Sequence, residues 1–204
     1  LDNIKSKIHK KNIQVSFVPI EKLNKLTKNN HQGIVATISP ISTLDINGLE
    51  GKLKNTKSLL MLVLDGITDT KNFGAIIRSA ECFDVDLIII PKTGSSPING
   101  ETIKSSSGAI FNVPICKVNH IKDAIFLLKE NEINLVGTSD KGLSSLYEHK
   151  FDSRTAIIIG SEGRGVNKSV LKLCDQVVNI VMQGKISSLN VSVATGIFLS
   201  EFRR

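Results

Sequence analysis

At 204 residues with 41% hydrophobic side chains, the chain can build one substantial core and an appendage but not two full domains. It contains no uninterrupted run of about 18 apolar residues, so a membrane-spanning helix is not expected. The formal charge is +7, and it is unevenly placed. Residues 1–58 hold 10 Lys against 4 acidic residues, a net +6, and residues 59–204 hold 16 basic against 15 acidic residues, a net +1.

A basic leading segment on a nearly neutral remainder fits a protein that gathers a polyanion with one part and delivers it to a site on another. A Lys/Asn/Ile-rich compositional bias would give the same count through solvated lysine faces. Cys82, Cys116 and Cys174 are odd in number and lack C-x-x-C spacing, which argues against a disulfide framework or a zinc site and fits a reducing compartment. His9, His31, His120 and His149 form no close pair, so no metal ligands are expected.

Residues 1–44 read as a helix end, a strand over Val15–Val18, a short helix over Ile20–Thr27 and a strand over Gly33–Ile38. This is little for an independent fold. The segment therefore reads as the back half of a domain that continues upstream, behind a trimmed or processed end at Leu1, where nothing resembles a signal peptide. Residues 45–58 carry Asn47-Gly48, Gly51 and three lysines without apolar periodicity, the pattern of a linker.

From residue 59 short apolar runs alternate with amphipathic stretches. Leu59–Leu64, Leu87–Ile90, Leu135–Val136, Ala156–Ile159 and Val177–Val181 suit strands buried on both faces. Phe73–Phe83, Ile121–Glu132, Ser169–Cys174 and Leu189–Phe202 carry helical spacing. Alternation of this kind predicts an α/β fold, a parallel sheet covered by helices.

Three polar loops follow strands: Asp65–Asn72, Gly137–Asp140 and Gly160–Gly165. In a parallel sheet they emerge at one edge and can converge on one ligand. Gly160, Gly163 and Gly165 allow a tight turn that presents Glu162. Asn72 and Arg78 flank the opening of a helix, with Gly74 between them as a possible bend, and an Arg there can grip a phosphate in bidentate fashion. Ser187, Ser188 and Asn190 precede the last helical pattern, where capping alone would account for them. The chain has no G-x-x-x-x-G-K-[ST]; Gly163-Arg164-Gly165-Val166-Asn167-Lys168 fails G-x-G-x-x-G at its last position, and the Ser161 turn falls short of G-x-S-x-G.

The segments Leu64–Ala80, Ile157–Gly165 and Asn179–Ala194, in this order and spacing, resemble the three motifs of the SpoU (TrmH-like) family of RNA ribose 2'-O-methyltransferases in the SPOUT superfamily. The resemblance runs over about residues 31–204. It implies a SPOUT domain over 59–204 whose C-terminal chain is tucked into a trefoil knot, although knots are nearly absent from protein folds. It implies S-adenosylmethionine as cofactor, with Gly160, Gly163, Ile180, Met182, Ser188, Leu189 and Thr138 as its contacts. Asn72, Arg78, Glu162 and Asn190 fall on the polar active-site positions, Arg78 on that of the catalytic Arg. No metal is implied.

The same resemblance implies a homodimer whose site is completed across its interface, with Leu189, Val193, Ile197 and Phe198 as contacts. Residues 1–44 would be the remnant of an N-terminal RNA-binding domain, and His31-Gln32-Gly33 looks more like the ribosomal-RNA branch than the transfer-RNA one. The expected activity is methylation of a ribose 2'-hydroxyl in 23S-type ribosomal RNA at a guanosine, in the cytoplasm or an organelle matrix. The competing readings are a tRNA ribose methyltransferase, a catalytically silent RNA-binding paralogue and, more remotely, a Rossmann oxidoreductase that lacks the dinucleotide fingerprint.

Overall fold

The computed structural model describes residues 8, 10–11, 13–28, 30–54, 56–142 and 144–204. Two compact units are present, Leu1–Pro40 and Ile41–Arg204.

In the first unit the expected short helix is present as α1, Ile20–Leu26. The segments expected as strands, Val15–Val18 and Gly33–Ile38, carry no strand among the described residues, and Gly33 lies in a turn. A strand is stabilised by its neighbour's main chain, and the apolar side chains here, such as Val15 at 47% and Phe17 at 87% exposure, find no opposing sheet face. Residues 1–7 and His9, and with them most of the expected leading helix end, lie outside the described residues.

The second unit is built on seven parallel strands: β1 Leu59–Asp65, β2 Leu87–Pro91, β3 Ile115–Val118, β4 Asn134–Thr138, β5 Ser144–Ser145, β6 Arg154–Gly160 and β7 Gln176–Asn179. Their order across the sheet is β3-β2-β1-β6-β4-β7-β5, and every pairing is parallel. The helices are α2 Ile46–Leu53, α3 Thr70–Cys82, α4 Gly100–Ser105, α5 Ile121–Glu130, α6 Lys168–Leu171 and α7 Val191–Arg203.

The continuous apolar runs follow from burial on both faces. Successive side chains of a strand point to opposite sides, and β1 divides accordingly. Leu60, Leu62 and Leu64 pack with Phe73, Ile76, Ile77 and Ala80 of α3 and with Val191, Phe198 and Leu199 of α7. Leu59, Met61 and Val63 pack on the other face with Leu49 and Leu53 of α2 and with Ile121, Ala124, Ile125 and Leu128 of α5. Each such fully buried side chain contributes about 1.5–3 kcal/mol of transfer free energy.

The stretch expected as a linker differs most from expectation. Asp45 accepts a hydrogen bond from Gly48 N at 2.9 Å and caps α2, whose Leu49 and Leu53 are fully buried. Leu44 exchanges main-chain bonds with β3 through Ile115 O and Lys117 N. An eight-residue helix with two apolar contacts a turn apart has too few positions to register as periodic, which is why glycines and lysines dominated the pattern. The strand β3 and helix α4 were likewise missed, being short and flanked by Gly, Ser and Pro.

Gly74 does not bend α3. A Cβ there would lie 1.9 Å from Ser105 Oγ, so the absent side chain is what lets α4 pack against an unbroken α3.

Candidate functional site

Because all strands run one way, the loops after β1, β6 and β7 leave the same edge of the sheet, with Asp65 in register with Gly160. Three side chains distant in sequence meet there. Asn72 Nδ2 donates to Glu162 Oε1 at 3.1 Å. Asn190 Nδ2 donates to the same Oε1 at 2.9 Å and to Asn72 Oδ1 at 2.9 Å.

Each is placed by a local device. Asp69 caps α3, its Oδ1 accepting from Asn72 N at 2.7 Å, which seats Asn72 in the first turn. Asn190 itself caps α7 by accepting from Ser192 N at 2.9 Å. Of the three expected capping residues, Asn190 is the one that caps. Glu162 sits in the turn after β6, closed by Gly165 N donating to Ser161 O at 2.8 Å. Its carboxylate faces two helix N-termini, where the peptide dipoles favour negative charge.

Gly160 has a steric role in this turn. A Cβ at Gly160 would lie 1.9 Å from Val166 N and 2.0 Å from Gly165 C. The bare backbone is needed for the chain to fold back on itself and hold Glu162 out.

Arg78 stands apart from this cluster. It is exposed and, among the described residues, makes no hydrogen bond or ion pair. Six residues at roughly 100° each put it about 120° around α3 from Asn72 and about 9 Å further along the axis. Glu162 bonds to the two asparagines, and among the described residues no partner neutralises the Arg78 guanidinium.

The residues expected to hold a cofactor divide into two sets. Ile180 and Met182 are half-buried, while Ser188 and Leu189 are exposed, on the segment 180–190 that carries no helix or strand. Thr138 Oγ1 donates to Ile158 O at 2.9 Å, so this hydroxyl is engaged in joining β4 to β6. Gly163 lies in the Glu162 turn with φ +81°. Aliphatic side chains beside unladdered main chain suit a flat heteroaromatic group, with peptide groups at its edge and apolar contacts on its faces.

Among the described residues, no group of three or more His, Cys, Asp or Glu could hold a metal ion, and no helix is long and apolar enough to cross a membrane. Burial pushes the Cys116 thiol up to about 11, Asp45 adding to it. It does the same at Cys174, also to about 11, where Asp175 raises and Lys129 lowers. Both thiols are poor nucleophiles at neutral pH. An open cleft of about 390 Å³ lined by Lys129, Glu132, Ile133, Asn134, Asp152 and Asp175 lies at the opposite edge of the sheet, where β4 and β6 begin, away from the Asn72–Glu162–Asn190 cluster.

Of the apolar residues expected on a dimer face, Phe198 is 2% exposed and belongs to the chain's own core. It lies on the inner side of α7, seven residues beyond Val191, which is also buried. Leu189 at 37% and Val193 at 51% exposure do face outward, with Ile197 half-buried.

The sequence reading missed Asp69 as the residue that seats Asn72. Its signal was the acidic cap three positions before Asn72 at a strand-to-helix turn.

Comparison with known proteins places the chain in a family. A sequence model described as the SpoU rRNA Methylase family matches residues 59–200, and one described as RNA 2'-O ribose methyltransferase substrate binding matches residues 1–44. The chain is 38% identical over 174 residues to the 23S rRNA (guanosine-2'-O-)-methyltransferase RlmB of Yersinia pestis, covering 85% of this chain and 71% of that protein. It is 38% identical over 171 residues to RlmB of Escherichia coli K12, covering 84% and 70%.

Among solved structures, the SpoU methyltransferase AviRb of Streptomyces viridochromogenes, in complex with AdoMet, superposes with a TM-score of 0.71 at 26% identity, over 79% of this chain and 64% of that one. The A. aeolicus TrmH/SpoU tRNA modifying enzyme gives 0.66 at 27% identity, over 77% and 80%. With a parallel sheet, a polar cluster at the edge where its loops converge, and a family match over most of its length, the chain belongs to the SpoU rRNA methylase family.

Proposed function

We propose that this chain is an S-adenosylmethionine-dependent methyltransferase acting on a ribose 2'-hydroxyl of large-subunit ribosomal RNA, at a 23S-type guanosine. The observation that carries this reading is the convergence of Asn72, Glu162 and Asn190 at 2.9–3.1 Å on one sheet edge, with the un-neutralised Arg78 further along the same helix as Asn72. Ribosomal RNA is favoured over transfer RNA by the names of the relatives at 38% identity.

S-adenosylmethionine, when bound, supplies a methyl group activated by its sulfonium. Ile180, Met182 and Leu189 would hold the adenosyl group, with the main chain of Gly160, Gly163 and Ser188 beside it and Thr138 bracing the strand behind. Arg78 holds the phosphate next to the target ribose and stabilises negative charge growing on the 2'-oxygen. A guanidinium with a pKa above about 12 is a costly base, so Arg78 is assigned no proton. Glu162 Oε1 is occupied by two amide donors, whereas Oε2 has no donor among the described residues, which leaves an acceptor for the hydroxyl hydrogen. The remaining N–H of Asn72 orients the ribose. Alignment of the hydroxyl oxygen with the methyl group supplies much of the rate, as expected for held reactants.

The working unit is a homodimer: Val193 and the half-buried Ile197, one turn apart on α7, and Leu189 just before that helix present apolar surface that a second copy can cover, bringing its own Arg78 near the partner's cluster. The C-terminal chain forms a trefoil knot. The out-of-sequence placing of β7 between β4 and β5, and the bond from Asn179 Nδ2 to Gly142 O at 3.0 Å, support that course. Residues 1–44 contribute to RNA binding, in a reducing compartment such as a cytoplasm or organelle matrix.

Calorimetric titration with S-adenosylmethionine, paired with methyl transfer to 23S and tRNA transcripts, tests this reading. Binding with transfer to 23S RNA is expected. Binding without transfer to any RNA would favour the silent paralogue, and transfer to tRNA alone would reassign the substrate.

A further inference from the structure

The polarity of the two amides in the cluster needs a cause, because an amide turned end for end would present the wrong groups. Asn190 Oδ1 accepts from Ser192 N at 2.9 Å and from Ser192 Oγ at 2.6 Å. With the oxygen engaged there, both N–H groups of Asn190 point to Asn72 Oδ1 and Glu162 Oε1. Reversing the amide would set its oxygen against a carbonyl and a carboxylate, and its amino group against the Ser192 N–H. The polarity then passes on: Asn72 must use Oδ1 as acceptor, so its Nδ2 is directed at Glu162 Oε1.

We propose that Ser192 is a positioning residue for methyl transfer, its hydroxyl fixing the amide of Asn190 so that both N–H groups hold Glu162 and Asn72 in place. This rests on the reading of the site as a ribose methyltransferase. The hydroxyl acts through Asn190 and touches no substrate.

The same Asn-x-Ser arrangement occurs a second time, as a cap whose Asn also donates its main-chain N–H to Asp65 Oδ2 at 2.8 Å. Asn167 Oδ1 accepts from Ser169 N and Ser169 Oγ, both at 2.9 Å, at the start of α6. No hydrogen bond from the Asn167 amino group to Asn72, Glu162 or Asn190 is present. Loss of the hydroxyl should therefore weaken a helix cap equally in Ser169→Ala and Ser192→Ala, and only the second should disturb the cluster.

The experiment is steady-state and single-turnover methyl transfer to 23S transcript by the full chain and by S192A, S192T, S169A, N190A and the S192A/N190A double variant, with thermal melts of each. S192A is expected to lower kcat about 10-fold, as a small misplacement of reacting groups does, with KM for both substrates within about twofold. Its melting temperature should match that of S169A, which keeps wild-type kcat, and S192T should restore the rate. In the N190A background, S192A should cost nothing further. Wild-type kcat in S192A would overturn the proposal, as would losses that multiply in the double variant, or a fall confined to melting temperature and cofactor KM. An inactive wild-type protein would instead overturn the functional reading itself and this role with it.

Discussion

Asn190 and Asn72, 118 residues apart in the chain, are joined by a 2.9 Å bond from the Nδ2 of the first to the Oδ1 of the second. That bond ties the N-terminus of α7 to the first turn of α3, and both asparagines share Glu162 Oε1. The cluster exists only if the chain has brought all three motifs to one sheet edge, so it couples the fold to the chemistry.

Asn190→Asp should be more damaging than its size suggests. It replaces a double donor by a carboxylate facing Glu162, and two like charges at hydrogen-bond distance cannot both ionise freely. Methyl transfer at pH 7 should fall roughly 100-fold, with partial recovery where one carboxyl is protonated. A flat rate–pH comparison with wild type would contradict the arrangement.

Arg78→Ala and Arg78→Lys should both slow single-turnover transfer, by roughly 10- to 100-fold, while leaving S-adenosylmethionine affinity unchanged. Lysine keeps the charge but not the planar fork that grips a phosphate through two bonds. Near-native single-turnover rates in both variants would remove Arg78 from the mechanism.

Gly160→Ala should destabilise the fold by roughly 2–4 kcal/mol. The new methyl would meet Val166 N at 1.9 Å, and a backbone neighbour cannot rotate away as a side-chain tip can. Urea unfolding would register the loss as a lower midpoint with an unchanged slope. A midpoint equal to wild type would show that the turn relaxes freely.

Much of this was legible before the structure. The runs at Leu59–Leu64 and Ala156–Ile159 are apolar at every position because odd and even residues serve two different cores, and that pattern alone marks a central parallel strand. Asn72, Glu162 and Asn190 were expected from the resemblance to the SpoU motifs, yet their mutual bonding could not be read, because it depends on turn geometry and on which end of an amide faces which neighbour. Nor could the separation of Arg78 from this cluster within one chain be read, since six residues beyond Asn72 are not a whole number of helical turns. The helix at 46–53 was missed because its burial comes from tertiary packing of Leu49 and Leu53 rather than from local pattern.

Stability should depend on pH at both ends of the range. Burial lowers the His149 pKa from 6.5, with Gln176 and Asp152 opposing it, and its Nε2 has no hydrogen-bond partner among the described residues. The unfolded chain then binds the extra proton first, so this contribution is present above about pH 6.5 and is lost as pH falls through the lowered value. Cys116 and Cys174 act in the opposite sense. With thiols raised from 9.0 to about 11, their contribution is complete below pH 9 and lost as pH rises toward 11. Urea midpoints from pH 5 to 10.5 should show both declines; His149→Phe should flatten the acid limb and Cys116→Ala should reduce the alkaline one. Unchanged limbs in these variants would assign the declines to other groups.

The most direct test of the central claim is transfer of labelled methyl from S-adenosylmethionine to unmodified 23S ribosomal RNA by the full chain, followed by alkaline hydrolysis. Methylation of a ribose 2'-hydroxyl blocks cleavage of the adjoining phosphodiester, so the account predicts label in alkali-resistant dinucleotides with guanosine on the 5' side. Label released entirely as mononucleotides would mean that a base is methylated, and would contradict the roles given to Arg78, Asn72 and Glu162.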